Sequence, residues 1–310
     1  MTISKYNFFR QKIHLIILHL SFFLLFISGQ LHAGAWTLQK GQLWVKSSLF
    51  VYRTNDRYAS ELIFCGDRRC RNGERTPYFF NGKVRSYAAY LDIWYGVTDH
   101  LELQFQLPYF DIAFNDDVNP DRPKTSDIGD IKFGARYRFW SKPFVYTLNV
   151  EAKAPVGFFN KDSEVVPTGD GQWDLQIRSQ FGRSLWPWPI YLNLDIGYKF
   201  RFEPDMNKTN LDPGDEFTFR GEAGYNIRNN LLFKAAVDGF WGQEFSALFP
   251  DSKLKLSNSE RRILYFEPGL YWVPKNPLVL EASAKISLSG KNYPAGIIYG
   301  FGISYAFAVH

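Results

Sequence analysis

The chain is poor in the residues that most active sites need. Its 310 residues include two Cys, two Met and five His. Two cysteines cannot staple a disulfide scaffold. The histidines are His14, His19, His32, His100 and His310, and none falls inside a strand pattern or a long connection. A Ser–His dyad or a His–Asp site therefore has no imidazole to serve as general base, so neither catalytic residues nor an enzyme are expected. Long apolar runs are equally scarce. Mean hydropathy is −0.26 with 22% charged residues, whereas a polytopic helical membrane protein requires several apolar runs of about 20 residues. Only one such run exists, at the extreme N-terminus. Aromatic residues are abundant by contrast, with 29 Phe, 18 Tyr and 9 Trp. A disordered chain would lack them.

The N-terminal run reads as an export signal over residues 1–35. Lys5, Arg10 and Lys12 form a basic start, Ile13 to Ile27 an apolar centre, and Gly29 to Ala35 supply small residues for cleavage after Ala33 or after Ala35. Without those three bases the chain keeps 33 basic residues of the original 36 against 31 acidic ones. No basic patch points to nucleic acid.

From Gln42 onward, two-residue alternation dominates, placing successive side chains on opposite faces of a strand. Leu101, Leu103, Phe105, Leu107 and Tyr109 alternate with Glu102, Gln104, Gln106 and Pro108. Ile131, Phe133, Ala135, Tyr137 and Phe139 alternate with Lys132, Gly134, Arg136 and Arg138. The pattern gives about twelve strands, at 42–53, 84–95, 101–110, 130–139, 145–155, 172–184, 190–202, 216–227, 231–241, 262–272, 278–288 and 297–308. The first and tenth alternate poorly. Long and short connections take turns along this order, and the strand number is even. Together these features predict an all-β fold, a transmembrane antiparallel up-and-down β-barrel over residues 36–310, set in the outer membrane of a Gram-negative cell. Trp and Tyr near the strand ends suit the membrane interface. A soluble exported barrel would also alternate, but twelve strands would enclose a backbone cylinder of roughly 12 Å radius that these rings would have to fill. The apolar face is therefore expected to meet lipid and the charged face the lumen.

The inward set balances. Its bases include Lys46, Lys132, Arg136, Arg138, Lys153 and Arg178, with Lys199, Arg201, Arg220, Lys234 and Lys285. Its acids include Asp92, Glu102, Asp130, Glu151, Asp174 and Asp195, with Glu216, Glu222, Asp238, Glu267 and Glu281. Such a lumen should pair its charges between strands, with Glu151 and Lys153 expected to face Arg136 and Arg138 as a constriction. The pathway set is then Asp130, Lys132, Arg136, Arg138, Glu151 and Lys153, followed by Arg178, Asp195, Lys199, Arg220 and Glu222. Two readings stay open: a narrow polar passage for small solutes, or a closed, salt-bridged barrel whose function lies in its outer loops. Cys65 and Cys70 in the first long loop fit a local disulfide in an oxidising compartment. The loop Asn115 to Asp121 is acidic but lacks EF-hand spacing, so no metal is expected.

Asp127-Ile128-Gly129-Asp130-Ile131-Lys132-Phe133-Gly134-Ala135-Arg136-Tyr137-Arg138 resembles the GxGDxxxGxxYR strand start of the outer-membrane transporters grouped with the meta-pathway of phenol degradation. Tyr95-Gly96-Val97-Thr98-Asp99-His100-Leu101 is similar to that group's short turn. Lys153-Ala154-Pro155-Val156-Gly157 and Thr168-Gly169-Asp170-Gly171-Gln172-Trp173-Asp174 are similar to a strand end and the next strand entry. The likeness spans about residues 40–308. It implies passage of small, often hydrophobic or aromatic, compounds and carries no binding motif or cofactor with it.

Overall fold

The computed structural model describes residues 34–160 and 165–309, so the expected signal lies outside the described residues except for Gly34 and Ala35. Twelve long strands form the body: β1 Gln42–Thr54, β2 Lys83–Gly96, β3 Leu101–Asn115, β4 Ile131–Trp140, β5 Val145–Ala154, β6 Asp174–Ser184, β7 Ile190–Arg201, β8 Glu216–Arg228, β9 Leu231–Gly242, β10 Arg262–Lys275, β11 Leu278–Lys291 and β12 Ile297–Ala308. Each pairs antiparallel with its chain neighbours, and β1 pairs with β12 from Gln42↔Ala308 to Tyr52↔Ile298. The sheet thereby closes on itself, and none of the twelve long strands is left as an edge strand. Both weakly alternating segments, β1 and β10, are full members.

Five short turns join the strands at one end, and the longer connections lie at the other. In the turn Val97 to His100, the Thr98 hydroxyl accepts from the amides of His100 and Leu101. Strand limits depart from expectation mainly at the loop end. β3 runs to Asn115 because β2 pairs with it that far, Lys83 opposite Asn115, while residues 125–128 of the next loop pair with part of its other edge, Asp111 opposite Ser126. Asp130 lies just before β4 rather than inside it.

The two faces differ as the alternation requires. Tyr299, Phe301, Ile303, Tyr305 and Phe307 of β12 are all 40% exposed or more, as are Leu103, Leu194 and Leu270 on other strands. The most deeply buried large side chains include Arg136, Glu102 and Asn149, so polarity is inverted relative to a water-soluble globule. Turning β4 over would place Lys132, Arg136 and Arg138 in hydrocarbon at roughly 2–4 kcal/mol each near a bilayer midplane, which fixes the register. Trp140, Trp186, Trp188 and Trp272 are exposed around the turn end, while Trp173 and Trp241 are exposed at the loop end. Two aromatic rims thus border an apolar belt.

Candidate functional site: a divided lumen

Two-residue periodicity points one side chain in two into the lumen, and the register decides which of them meet. Arg136 of β4 lies beside Glu102 of β3 and opposite Asn149 of β5, whereas Glu151 lies opposite Gly134 and Lys153 opposite Lys132. The expected constriction of Arg136 and Arg138 against Glu151 and Lys153 therefore does not form. Arg136 instead binds Glu102 at 3.0 Å and the Gln180 amide oxygen at 2.9 Å. It also lies 5.3 Å from the Trp94 ring centroid. Arg138 stands apart at the turn end, donating to the Asp99 carbonyl at 2.7 Å.

A segment with no periodicity completes this region. Residues 34–41 turn back from β1 into the lumen at the turn end, where Ala35 and Leu38 are fully buried. The Leu38 amide donates to Glu102 at 2.8 Å, and the Thr147 hydroxyl donates to the Ala35 carbonyl at 2.5 Å. Arg136 donates to the Gly34 carbonyl, and the Trp36 ring sits edge-on to Tyr191 at 6.0 Å. Glu102 and Arg136 thus hold the segment as well as each other. Gly96 permits this approach, because a Cβ there would overlap the Gln39 carbonyl.

Toward the loop end, the same side of the lumen is packed with ion pairs. Lys153 reaches Asp170 at 2.6 Å, Asp174 at 3.0 Å and Asp130 at 3.1 Å. Arg201 joins Asp170 and Glu216, each at 3.3 Å, and Lys199 reaches Glu216 at 2.6 Å. Glu151 pairs with Arg178 at 3.2 Å and with Lys132 at 3.7 Å. Crowding by protein disfavours charge on Asp170, but Lys153 and Arg201 outweigh it and hold that carboxyl well below the usual range. Farther round, Arg220 gathers Glu267 at 2.7 Å, Glu222 at 3.0 Å and Asp238 at 3.2 Å. Asp195 accepts from Gln180 at 2.9 Å.

The other side, along β1, β2 and β10–β12, is open. A cavity of about 1010 Å³ runs there, lined by Trp44, Phe50, Tyr52, Tyr90, Trp94 and Phe110. The Trp44 and Trp94 rings are 4.5 Å apart. Tyr90 meets Phe50 at 5.5 Å and Phe110 at 5.8 Å, both edge to face. Lys46, Lys132, Lys234 and Lys285 also line it, and each has a carboxylate partner: Glu281, Glu151, Glu222 and Asp238 respectively. The cavity is thus aromatic with its charge compensated. None of its aromatic side chains stood among the residues expected to form a pathway. Their signal was the poor alternation of β1, where rings occupy the inward face and aliphatic side chains such as Val45, Leu49 and Val51 the outward one.

The loops narrow the far opening. Residues 56–58 pair with both 75–77 and 293–295, and Tyr58 packs with Ile263, Tyr265 and Ala295 while donating to the Ser287 carbonyl at 3.1 Å. Cys65 and Cys70 form the expected disulfide in the same loop.

Comparison with known proteins agrees with this architecture. A crystal structure of the COG4313 outer membrane channel from Pseudomonas putida F1 superposes with a TM-score of 0.72 at 17% identity, covering 88% of this chain and 98% of that one. Weaker likenesses are to the NanC porin, with a TM-score of 0.44 at 9% identity over 85% of this chain and 98% of that one, and to the CymD monoaromatic hydrocarbon channel, with 0.43 at 9% identity over 88% and 90%. Among curated protein sequences, none matches. The profile of the family described as "Putative MetA-pathway of phenol degradation" matches residues 81–305, nearly the whole barrel, and the chain belongs to that family.

Proposed function

We propose that the protein is an outer-membrane channel for the passive passage of small solutes, with aromatic and other hydrophobic compounds favoured. The turn end faces the periplasm and the long loops face outward, as the short-turn rule for such barrels implies. The observation that carries this reading is the aromatic-lined cavity of about 1010 Å³ beside β1 and β2. Rings such as Trp44, Trp94 and Tyr90 give a planar solute faces and edges to rest on, each contact worth about 0.5–1.5 kcal/mol. Weak contacts of that size suit conduction, since a passing solute must leave as readily as it enters. The paired lysines leave little net field to select for ion sign. Membership of a family named for phenol degradation supports the solute class.

Of the pathway residues inferred from sequence, Lys132 belongs to the open side. Asp130, Arg136, Glu151, Lys153, Arg178, Asp195, Lys199, Arg220 and Glu222 act as wall and packing, and Arg138 borders the periplasmic mouth. Residues 34–41 narrow that mouth. Liposome swelling tests the reading: phenol should enter vesicles holding the protein faster than a sugar of similar diffusion does. Equal rates, or no swelling by a folded barrel, would favour a closed barrel acting through its loops.

A further inference from the structure

Lipid-facing positions at the loop end are uneven in charge. On most strands they carry rings, as at Trp173, Phe217 and Trp241, with Arg262 an isolated base. On β1 and β2 they carry Arg53, Lys83 and Arg85, all exposed, with Lys124 beside them from the following loop. Arg53 and Arg85 are directly opposite in the β1–β2 register. Like charges at such a position repel and need a counter-ion. The protein supplies only a shared one. The carboxylate of this sector is Asp111, which is bound by Lys124 at 2.6 Å and by the Ser126 hydroxyl at 2.9 Å and attracts Arg85 only from beyond ion-pair distance. Among the described residues, the Lys83 and Arg85 side chains have no hydrogen bond or ion pair, and the Arg53 side chain bonds only to Tyr87, through its hydroxyl and with its guanidinium 5.6 Å from the ring centroid. Tyr87 keeps its own proton to donate. Immediately toward the barrel's middle the outward side chains become apolar, with Leu49, Val51, Ala89 and Leu91.

We infer that this sector binds the phosphates of a phosphorylated glycolipid in the outer leaflet, its acyl chains lying along that apolar strip. The Arg53 and Arg85 guanidinium groups present paired N–H donors that match phosphate oxygens, and Lys83 adds a third charge. Four bases against one acid give the site a net charge that only an anion satisfies. The inference rests on the outward placement of the loops proposed above, and it requires no open channel.

The test uses the full chain in detergent micelles and native mass spectrometry with bisphosphorylated lipid A as probe. Wild type should retain the lipid, and Arg53→Glu with Arg85→Glu should weaken retention at least about tenfold, as loss of two charge-assisted contacts implies. Arg183→Glu, a single such charge reversal on an exposed outward residue at the turn end, should leave it unchanged. Lipid A stripped of phosphate should bind weakly. Inorganic phosphate in millimolar excess should not displace the intact lipid. Equal retention by the Arg53/Arg85 variant, equal binding of the dephosphorylated lipid, displacement by free phosphate, or equal binding of phosphatidylglycerol would each overturn the assignment. Heat-shifted gel mobility verifies that the variants fold, and Arg53→Gln with Arg85→Gln replaces the Glu pair if they do not. Bilayer conductance of the same samples separates the two readings: a silent barrel that still retains lipid A refutes the channel alone.

Discussion

The two sides of the lumen share strands, periodicity and balanced charge, yet one is solid and the other hollow. Between β3 and β8, long ionised side chains meet across neighbouring strands and residues 34–41 fill the space that remains at the turn end. Along β1, β2 and β10–β12, rings replace many of the charges, and planar groups lying against the wall leave room that guanidinium and carboxylate pairs would have crossed. What fills a barrel of fixed strand number is therefore set by side-chain reach. Ion pairs rigidify one wall while aromatic groups keep the other clear.

The most forceful way to break this division is to delete residues 34–40. Single-channel conductance in planar bilayers should then rise severalfold, because the turn-end mouth loses its obstruction; an unchanged step would remove the segment from the path. Next comes Arg136→Met, which strands the buried Glu102 and should cost about 3–5 kcal/mol in urea unfolding followed by Trp fluorescence. Adding Glu102→Leu should restore much of that loss. Lys46→Met on the hollow side, where the pair with Glu281 is partly exposed, should cost only about 0–1 kcal/mol. Equal costs on both sides would show that the division is not energetic. Trp94→Ala should lower phenol uptake relative to sugar uptake by about two- to tenfold, the factor corresponding to one aromatic contact. A sugar-to-phenol ratio equal to that of wild type would sink the role given to the rings.

The smallest effect lies outside the membrane. Arg68 hydrogen bonds to Glu74, with help from the Arg71 amide, and lowers the Glu74 carboxyl from 4.5 to about 2. A depressed carboxyl stabilises the folded loop above its unfolded value and loses that contribution as pH falls through its folded one. The clasp beside the Cys65–Cys70 disulfide should thus persist from neutral pH to about 3 and release near 2. Carboxyl chemical shifts of Glu74 across that range would check it, and a midpoint near 4.5 would refute the clasp.

Much of the frame was legible because a strand broadcasts its two faces. All twelve strands fall close to their expected places, and the outward run on β12 is as read. Partnership was not legible. Periodicity says that Arg136 and Glu151 both face inward, but only the β4–β5 register reveals that Glu151 faces Gly134 and leaves Arg136 to Glu102. The hollow side was hidden for a related reason: Trp44, Phe50 and Tyr52 blur the alternation of β1, so the sign of an aromatic interior looked like a weak strand. Residues 34–41 have no periodicity at all, and their place depends on a wall assembled from strands far along the chain.

The pairing of β1 with β12 has a consequence for biogenesis. Gln42 and Ala308 lie directly opposite in the ladder although nearly the whole polypeptide separates them, so the staves cannot be hooped until the final one has been made. Until then both outermost strands offer unsatisfied amides and carbonyls to any passing partner. A chain truncated before Ile297 would be left as an open trough, exposed to aggregation however sound its other eleven staves.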